Sequence, residues 1–270
     1  MSHSAARSHN VNEAHITRKF HPNEGSRLYL LMMSVNFVVA ENFLIKTFRC
    51  IRRKYNINPE QQDAMREIIV EEGEHTKAHR TYNLGYAKLT GHDVSAYGYS
   101  FAKALELISF KNDPLKNLYV CLFFERFFAC VAELLITSRF FDDLAPEEQA
   151  LFKWHLSEEV LHVEKVESIC KIFSYQPRFT VRLVILLRII IPLVMIYQIH
   201  IAVLAFHEGS LKSKVIWKAM FDKDAVFIRT TFFRCAYSIL FNKTQPISRE
   251  LQKECIDYLR IDKANQIASN

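Results

Sequence analysis

The sequence predicts an all-α protein that consists of a four-helix bundle and a C-terminal helical, strongly aliphatic extension. Only six glycines and seven prolines occur in 270 residues, too few for the turns that an all-β chain of this length needs. Long segments instead carry apolar residues at helical spacing. Proline and Asn/Asp signals divide these segments into separate helices.

The four long helices are expected at residues 26–54, 59–89, 114–141 and 146–174. The first ends at "NINPE", where an asparagine and a proline mark the start of the second, and Pro114 and Pro146 mark the next two starts. Short loops make the first two helices antiparallel neighbours, and likewise the last two. The connection between helices two and three is long enough to run the length of a bundle, which is the ferritin-like arrangement.

Three regions follow from this division. Residues 1–25 are expected to form a flexible polar tail without the apolar stretch of a secretory signal. Residues 26–176 form the bundle, and residues 177–270 form the extension. Its segment 181–206 is nearly all aliphatic, and we interpret it as a core helix or a lid on the bundle. Membrane association through 181–206 stays open, because about 20 apolar residues suffice to cross a bilayer.

Charge and cysteine content indicate which binding partners and which cellular compartment to expect. The net charge of +6 comes from scattered basic residues, which does not predict a nucleic-acid surface. The six cysteines form no CxxC pair, so we expect reduced thiols in a cytoplasmic protein. A homodimer is compatible with the sequence.

The order Glu-Glu-x-x-His occurs twice, as "EEGEH" from residue 71 and "EEVLH" from residue 158. Residues three or four apart share one face of a helix, so Glu72 projects together with His75. His79 follows one turn later on that face. His155 lies four residues before Glu159 and seven before His162, which predicts a second stripe of metal ligands.

The other two bundle helices offer lone carboxylates, Glu41 in the first and Glu125 or Glu133 in the third. The separation from lone to motif glutamate is 31 residues for Glu41 and 34 for Glu125, but 26 for Glu133. We therefore favour Glu125 as a ligand and expect Glu133 to lie behind the ligands, on the substrate side, or in an ion pair with an arginine such as Arg139. A dinuclear site is expected, because burying four carboxylates without metal ions is costly. Its expected ligands are Glu41, Glu72, His75, His79, Glu125, His155, Glu159 and His162.

The strings "EEGEHTKAHRTYN" and "WHLSEEVLHVEKV" resemble the ferritin-like proteins described as predicted metal-dependent hydrolases, over roughly residues 25–210. That name implies metal-dependent hydrolysis. More distantly, the HxxxExxH pattern that starts at His155 is similar to the di-iron arylamine N-oxygenases, which implies a third histidine ligand. This chain departs from that pattern by adding His79, so either His79 or His155 can lie behind the ligands.

A donor set of carboxylates and imidazoles without thiolates favours two iron ions, with manganese or zinc as alternatives. The favoured function is a di-iron, O2-activating oxidase or oxygenase acting on a small apolar substrate. The apolar segment after Arg182 and several phenylalanines favour that substrate, namely Phe43, Phe123, Phe124 and Phe128. The alternative is a metal-dependent hydrolase that activates a metal-bound water. Glu74 or Glu158 would then act as the base, although we expect both to be exposed.

Overall fold

The computed structural model describes residues 24–137, 141, 144–173, 177–207, 230, 233–238, 240–241 and 247–268. For residues 24–27, 205–207 and 263–268 it describes the backbone alone. Every regular element in these ranges is helical, which confirms the predicted all-α class. The polar tail predicted for residues 1–25 lies, up to residue 23, outside the described residues.

The long helices begin and end close to their expected bounds. α1 to α8 are Glu24–Lys54, Pro59–Thr90, Ser95–Ile108, Pro114–Thr137, Pro146–Ile172, Phe179–Ile185, Ile191–His207 and Arg249–Ala268. A π-helical stretch, Leu186–Ile190, joins α6 to α7. α3 lies within the long crossover between α2 and α4.

Local signals explain where α2 begins and ends. The Asn58 side chain accepts a hydrogen bond from the backbone of Gln61, and the Gln61 side chain accepts one from the backbone of Asn58. This reciprocal capping satisfies backbone donors that a helix start leaves without partners. α2 ends at Gly91, whose φ of 72° suits glycine better than other residues.

The bundle is built from two helix pairs. α1 packs along α2 and α4 packs along α5, while contacts of α1 with α4 and of α2 with α5 close the bundle. The side chains of Phe37, Phe48, Phe152 and Trp154 fill its interior and are fully buried. Four long helices with one long crossover agree with the predicted bundle, and the ferritin-like likeness remains an interpretation of that layout.

Helices of the extension pack on the bundle. α7 contacts α1 and α3, and α8 lies against α5. Among the described residues, two helical stretches are long and apolar enough to cross a membrane, Leu28–Lys54 and Phe179–Leu204. The first is 83% buried, as in a core helix, whereas the second has a mean hydropathy of 2.4 and is only 22% buried. One face of this second stretch packs on the bundle, as the interpretation of 181–206 as a helix or lid on the bundle requires, and the opposite face is exposed. Its exposed apolar side chains include Val184, Leu187, Ile191, Met195, Ile199 and Val203.

Candidate metal centre

Seven carboxylate and imidazole side chains converge in the middle of the bundle. All four bundle helices contribute, because the helical spacing of the two motifs turns each set of donors inward. Every one of the seven has at most 3% of its surface exposed. They are Glu41 on α1, Glu72 and His75 on α2, Glu125 on α4, and His155, Glu159 and His162 on α5.

The donors form two overlapping groups that suit two metal ions. One group contains Glu41 and His155, and the other contains Glu72 and His162. Both groups include His75 and Glu159, and within each group one ligand atom per residue lies within 4.8 Å of all the others. Neither group contains a cysteine, although all six cysteines lie among the described residues and none of them forms a disulfide. The shared carboxylate of Glu159 is therefore the candidate bridge between two ions.

His75 presents one ring nitrogen to the centre and the other to an outer carboxylate. Its Nδ1 lies 3.5 Å from Glu72 Oε2 and 3.6 Å from Glu159 Oε1. Its Nε2 donates to Glu158 Oε2 over 2.7 Å. A carboxylate that accepts this outer hydrogen bond fixes the ring so that the inner nitrogen is free to bind a metal.

His162 repeats this arrangement from the opposite helix. Its Nδ1 lies 2.8 Å from Glu72 Oε1, and its Nε2 donates to Glu71 Oε2 over 3.1 Å. Burial opposes ionisation of Glu71, but His162 and Lys165 outweigh it and lower the pKa of Glu71 to about 2. The first glutamate of each Glu-Glu-x-x-His motif thus holds the histidine of the other motif, which explains why both motifs carry two consecutive glutamates.

His155 and His79 have different roles. His155 Nε2 lies 2.8 Å from Glu159 Oε1 and 3.2 Å from Glu41 Oε1, so it faces the centre. His155 Nδ1 lies 2.7 Å from His79 Nε2, and His79 Nδ1 lies 2.9 Å from Ser34 Oγ. Both nitrogens of His79 are therefore used behind His155. His79, expected among the ligands, stands in neither group of candidate ligands, and it orients His155 instead.

Substituting His79 tests this orienting role. His79→Phe keeps a ring of similar width but removes the acceptor for His155, so we expect metal affinity to fall about 10- to 100-fold. Equilibrium dialysis against the metal measures the change. Lys77→Ala, an exposed neighbour on α2, serves as the control and should bind like the wild type. An unchanged affinity in His79→Phe would show that His155 needs no partner.

Several buried nitrogen and oxygen atoms in the centre form no hydrogen bond, which is the observation that fits a metal site. Within the described part of the chain these atoms are Glu41 Oε1, Glu72 Oε1, His75 Nδ1, Glu125 Oε2, Glu159 Oε2 and His162 Nδ1. Glu72 Oε1 and His162 Nδ1 lie 2.8 Å apart without the geometry of a hydrogen bond. Buried polar atoms are rarely left this way. A cavity of about 10 Å³ between Glu41, Glu72, Glu125 and Glu159 is close to the volume that one water-sized particle needs. Four carboxylates would balance two divalent cations.

Crowding of acids in a dry interior raises several pKa values. Burial raises the pKa of Glu41 and Glu125 well above the ordinary value. Burial and the neighbouring Glu72 raise the pKa of Glu159 to about 7. Burial and the nearby His75 lower the pKa of His155 well below its ordinary value, so its Nε2 lone pair is available at neutral pH.

Metal retention should therefore depend on pH. Glu159 binds a metal only after losing its proton, and below its pKa of about 7 the proton competes with the metal. We expect affinity to fall by about tenfold or more for each pH unit below 7, because Glu41 and Glu125, whose pKa values are also raised, hold further protons that the metal must displace. Metal content after dialysis in a buffered metal solution between pH 5.5 and 9 gives this profile. A flat profile across pH 7 would contradict the assignment of Glu159.

Aromatic side chains shield the centre from water. Phe37 packs edge-on against His155 with ring centroids 4.2 Å apart. Trp154 packs edge-on against His75 at 4.9 Å. These contacts hold the imidazoles in place and lower the local dielectric, which strengthens electrostatic interactions inside the site.

Of the other acids considered from the sequence, Glu133 and Glu74 lie outside the centre, whereas Glu158 holds one of its histidines. Glu133 is only half-buried and lies outside both groups, and its suggested partner Arg139 is outside the described residues. Glu74 is also half-buried, near Lys77. The expectation that Glu158 is exposed is wrong, since α2 covers it and it accepts the hydrogen bond of His75. The sequence reasoning missed Glu71 and Glu158 as outer partners, and the doubled glutamate was the signal that could have found them.

The comparisons with known proteins agree with a metal-dependent enzyme. The model of a family described as "Predicted metal-dependent hydrolase" matches residues 5–260. No curated protein and no solved structure matches the chain. The matched range includes both Glu-Glu-x-x-His motifs and both lone glutamates of the centre.

Proposed function

We propose that this chain, which belongs to the family of predicted metal-dependent hydrolases, is a dinuclear metal enzyme that activates O2 to oxidise a small apolar substrate. The observation that carries the dinuclear part is the pair of overlapping donor groups that share Glu159 and His75. Two iron ions fit these donors best, with manganese as the nearest alternative and zinc less suited to so many carboxylates.

The residues that would hold the ions follow from their positions. Glu41 and His155 would bind one ion, and Glu72 and His162 the other, with Glu159 between them. Glu125 lines the same small cavity as three of these carboxylates and lies 3.9 Å from His162 Nδ1, so it would complete the second position. Two redox-active ions would supply electrons to O2 at this place.

The protein's own contribution is orientation and the exclusion of water. Glu71, Glu158 and His79 fix three imidazoles from outside, so the ligands are held before the metal arrives. Thr76 donates to Glu41 Oε2 over 2.9 Å, which orients that carboxylate as well. The apolar surroundings disfavour a freely solvated, polar substrate and support an apolar one.

Hydrolysis of an ester or amide is the second candidate. The family name favours it, and the cavity beside the carboxylates has room for about one water molecule. Neither acid suggested as a base is in place for that role, because Glu158 is occupied by His75 and Glu74 is half-exposed near Lys77. This geometry is why we place hydrolysis second.

Metal analysis combined with O2 exposure decides between the two. The purified protein is analysed for metals, stripped, loaded anaerobically with Fe(II), and exposed to O2 while its optical spectrum is recorded. Two irons per chain and a new absorption band after O2 support the proposed oxidation. Two redox-inactive ions with esterase or amidase activity and no response to O2 would overturn it in favour of hydrolysis. Glu74→Ala is the matched control and should behave like the wild type.

A further inference from the structure

An apolar cavity of about 90 Å³ lies between the bundle and the extension. Five phenylalanines of α3 and α4 form much of its wall, and Leu193 of α7 and neighbouring aliphatic side chains close it. The π-helical stretch between α6 and α7 contributes Ile190, and such stretches often occur at functional sites. The five phenylalanines are Phe101, Phe123, Phe124, Phe127 and Phe128.

This cavity adjoins the candidate metal centre. Ala40, Phe124 and Phe128 line both the apolar cavity and the small cavity between the four carboxylates. These three side chains therefore lie between the two spaces. The Phe124 and Phe128 rings are stacked with centroids 6.2 Å apart. Because these barriers are side chains, a change of rotamer would connect the two cavities without moving the backbone.

One buried oxygen atom in the wall, on Asn36, forms no hydrogen bond with the described residues, whereas Gln198 in the same wall accepts a hydrogen bond from Tyr29. Asn36 is 8% exposed, and its Nδ2 donates to the carbonyl of Met32 over 2.9 Å. Its Oδ1 has no hydrogen-bond partner among the described residues. Because the amide nitrogen is used on a carbonyl, the free atom is an acceptor, and leaving it buried without a partner is costly. A ligand in this cavity would satisfy it with a hydroxyl or N–H group.

The rise of α1 sets the distance between this acceptor and the metal centre. Ala40 follows Asn36 by one helical turn on the same face and lines both cavities. Glu41, five residues after Asn36, lies about 7.5 Å further along the helix axis. A ligand that donates to Asn36 would have its hydrocarbon part among the phenylalanines and would extend past Ala40 toward the carboxylates.

We propose that the apolar cavity binds the substrate of the metal centre, and that this substrate is an aliphatic compound with one hydrogen-bond donor, such as an alcohol or an amide. Assigning the bound molecule as substrate rests on the proposed function. Asn36 is a positioning residue that sets which carbon atom lies beside the metals.

Binding of 1-pentanol and butyl methyl ether to the metal-loaded protein tests this proposal by calorimetry. The two compounds have equal numbers of heavy atoms, but only the alcohol donates a hydrogen bond. We expect the alcohol to bind roughly five- to tenfold more tightly, the value of one hydrogen bond. Shorter alcohols should lose about fourfold in affinity for each methylene removed. Equal affinities of alcohol and ether would overturn the role of Asn36.

Variants locate the binding in this cavity. Leu193→Trp fills the cavity and should weaken both compounds at least tenfold. Met195→Trp places the same side chain on the exposed face of the same helix and should change nothing. Asn36→Leu should bring the alcohol to the affinity of the ether, and it also serves if Leu193→Trp fails to fold. Wild-type affinity in Leu193→Trp, or a preserved preference for alcohol in Asn36→Leu, would overturn the proposal.

Metal content separates this inference from the proposed function. Wild type and all three variants should retain two ions per chain, because the altered residues are not ligands. Two ions without any binding of 1-pentanol would refute the cavity proposal and leave the metal centre intact. Binding of 1-pentanol that depends on Leu193, in a protein that binds no metal, would support the cavity and refute the proposed function.

Discussion

Glu159→Ala is expected to remove both metal ions. Glu159 is the carboxylate common to both donor groups, with Oε1 2.8 Å from His155 Nε2 and 3.6 Å from His75 Nδ1. Loss of an outer partner alone typically reduces metal affinity 10- to 100-fold, so loss of the shared ligand should exceed about 100-fold. Metal content after gel filtration, measured by elemental analysis, gives the result directly.

Glu41→Ala and Glu74→Ala make this test specific. Glu41 belongs to one group only, so its removal should leave about one ion per chain. Glu74 is half-buried beside Lys77 on the same helix as Glu72, and its removal should leave two. Glu72→Ala or His162→Ala should strongly weaken binding as well. Two ions retained in Glu159→Ala, with a native circular dichroism spectrum, would contradict the site.

Helical periodicity made much of the centre predictable. The spacing within each motif places Glu72 with His75 and Glu159 with His162, whatever the rest of the chain does. Equal lengths on either side of a short turn then bring Glu41 to the level of Glu72. Seven of the eight residues expected as ligands do lie together in the structure. The helix starts were predictable as well, because the proline and asparagine residues that mark them act on the adjacent turn of the chain.

What the sequence could not supply depends on how the helices rotate against one another. Glu158 is one residue before Glu159, so its side chain points about 100° away from that of Glu159 around α5. From the sequence of α5 alone, a side chain in that direction is expected to face solvent. In the bundle α2 covers that direction, and Glu158 meets His75. His79 shares a face with His75, but a small rotation sends its ring behind His155. Neither contact is encoded by spacing within one helix.

Glu125→Leu is expected to stabilise the metal-free protein while weakening its response to metal. Burial and the nearby carboxylates of Glu159 and Glu72 raise the pKa of Glu125, and its Oε2 is buried without a hydrogen-bond partner in the described residues. Leucine of similar size removes this penalty, which is about 1–3 kcal/mol. For a chain of this size that corresponds to a rise in the unfolding temperature of roughly 3–9 °C.

Metal addition should raise the unfolding temperature of the wild type more than that of Glu125→Leu. Metal at a thousand times its dissociation constant stabilises a protein by about 4 kcal/mol, or roughly 10 °C in the wild type. Glu125→Leu should show less than half of that increase, whereas Glu133→Leu, on the same helix but only half-buried, should keep all of it. Thermal unfolding followed by circular dichroism, with and without metal, measures both quantities.

The combination of the two shifts distinguishes a metal centre from a structural polar network. In a network that stabilises the fold by itself, removal of Glu125 would break hydrogen bonds and lower the unfolding temperature of the metal-free protein. In a site built for cations, the acids repel one another until the ions arrive, so the same change raises that temperature and reduces the gain from metal. A less stable metal-free variant with an undiminished metal response would therefore assign these buried acids to the fold and not to a cofactor.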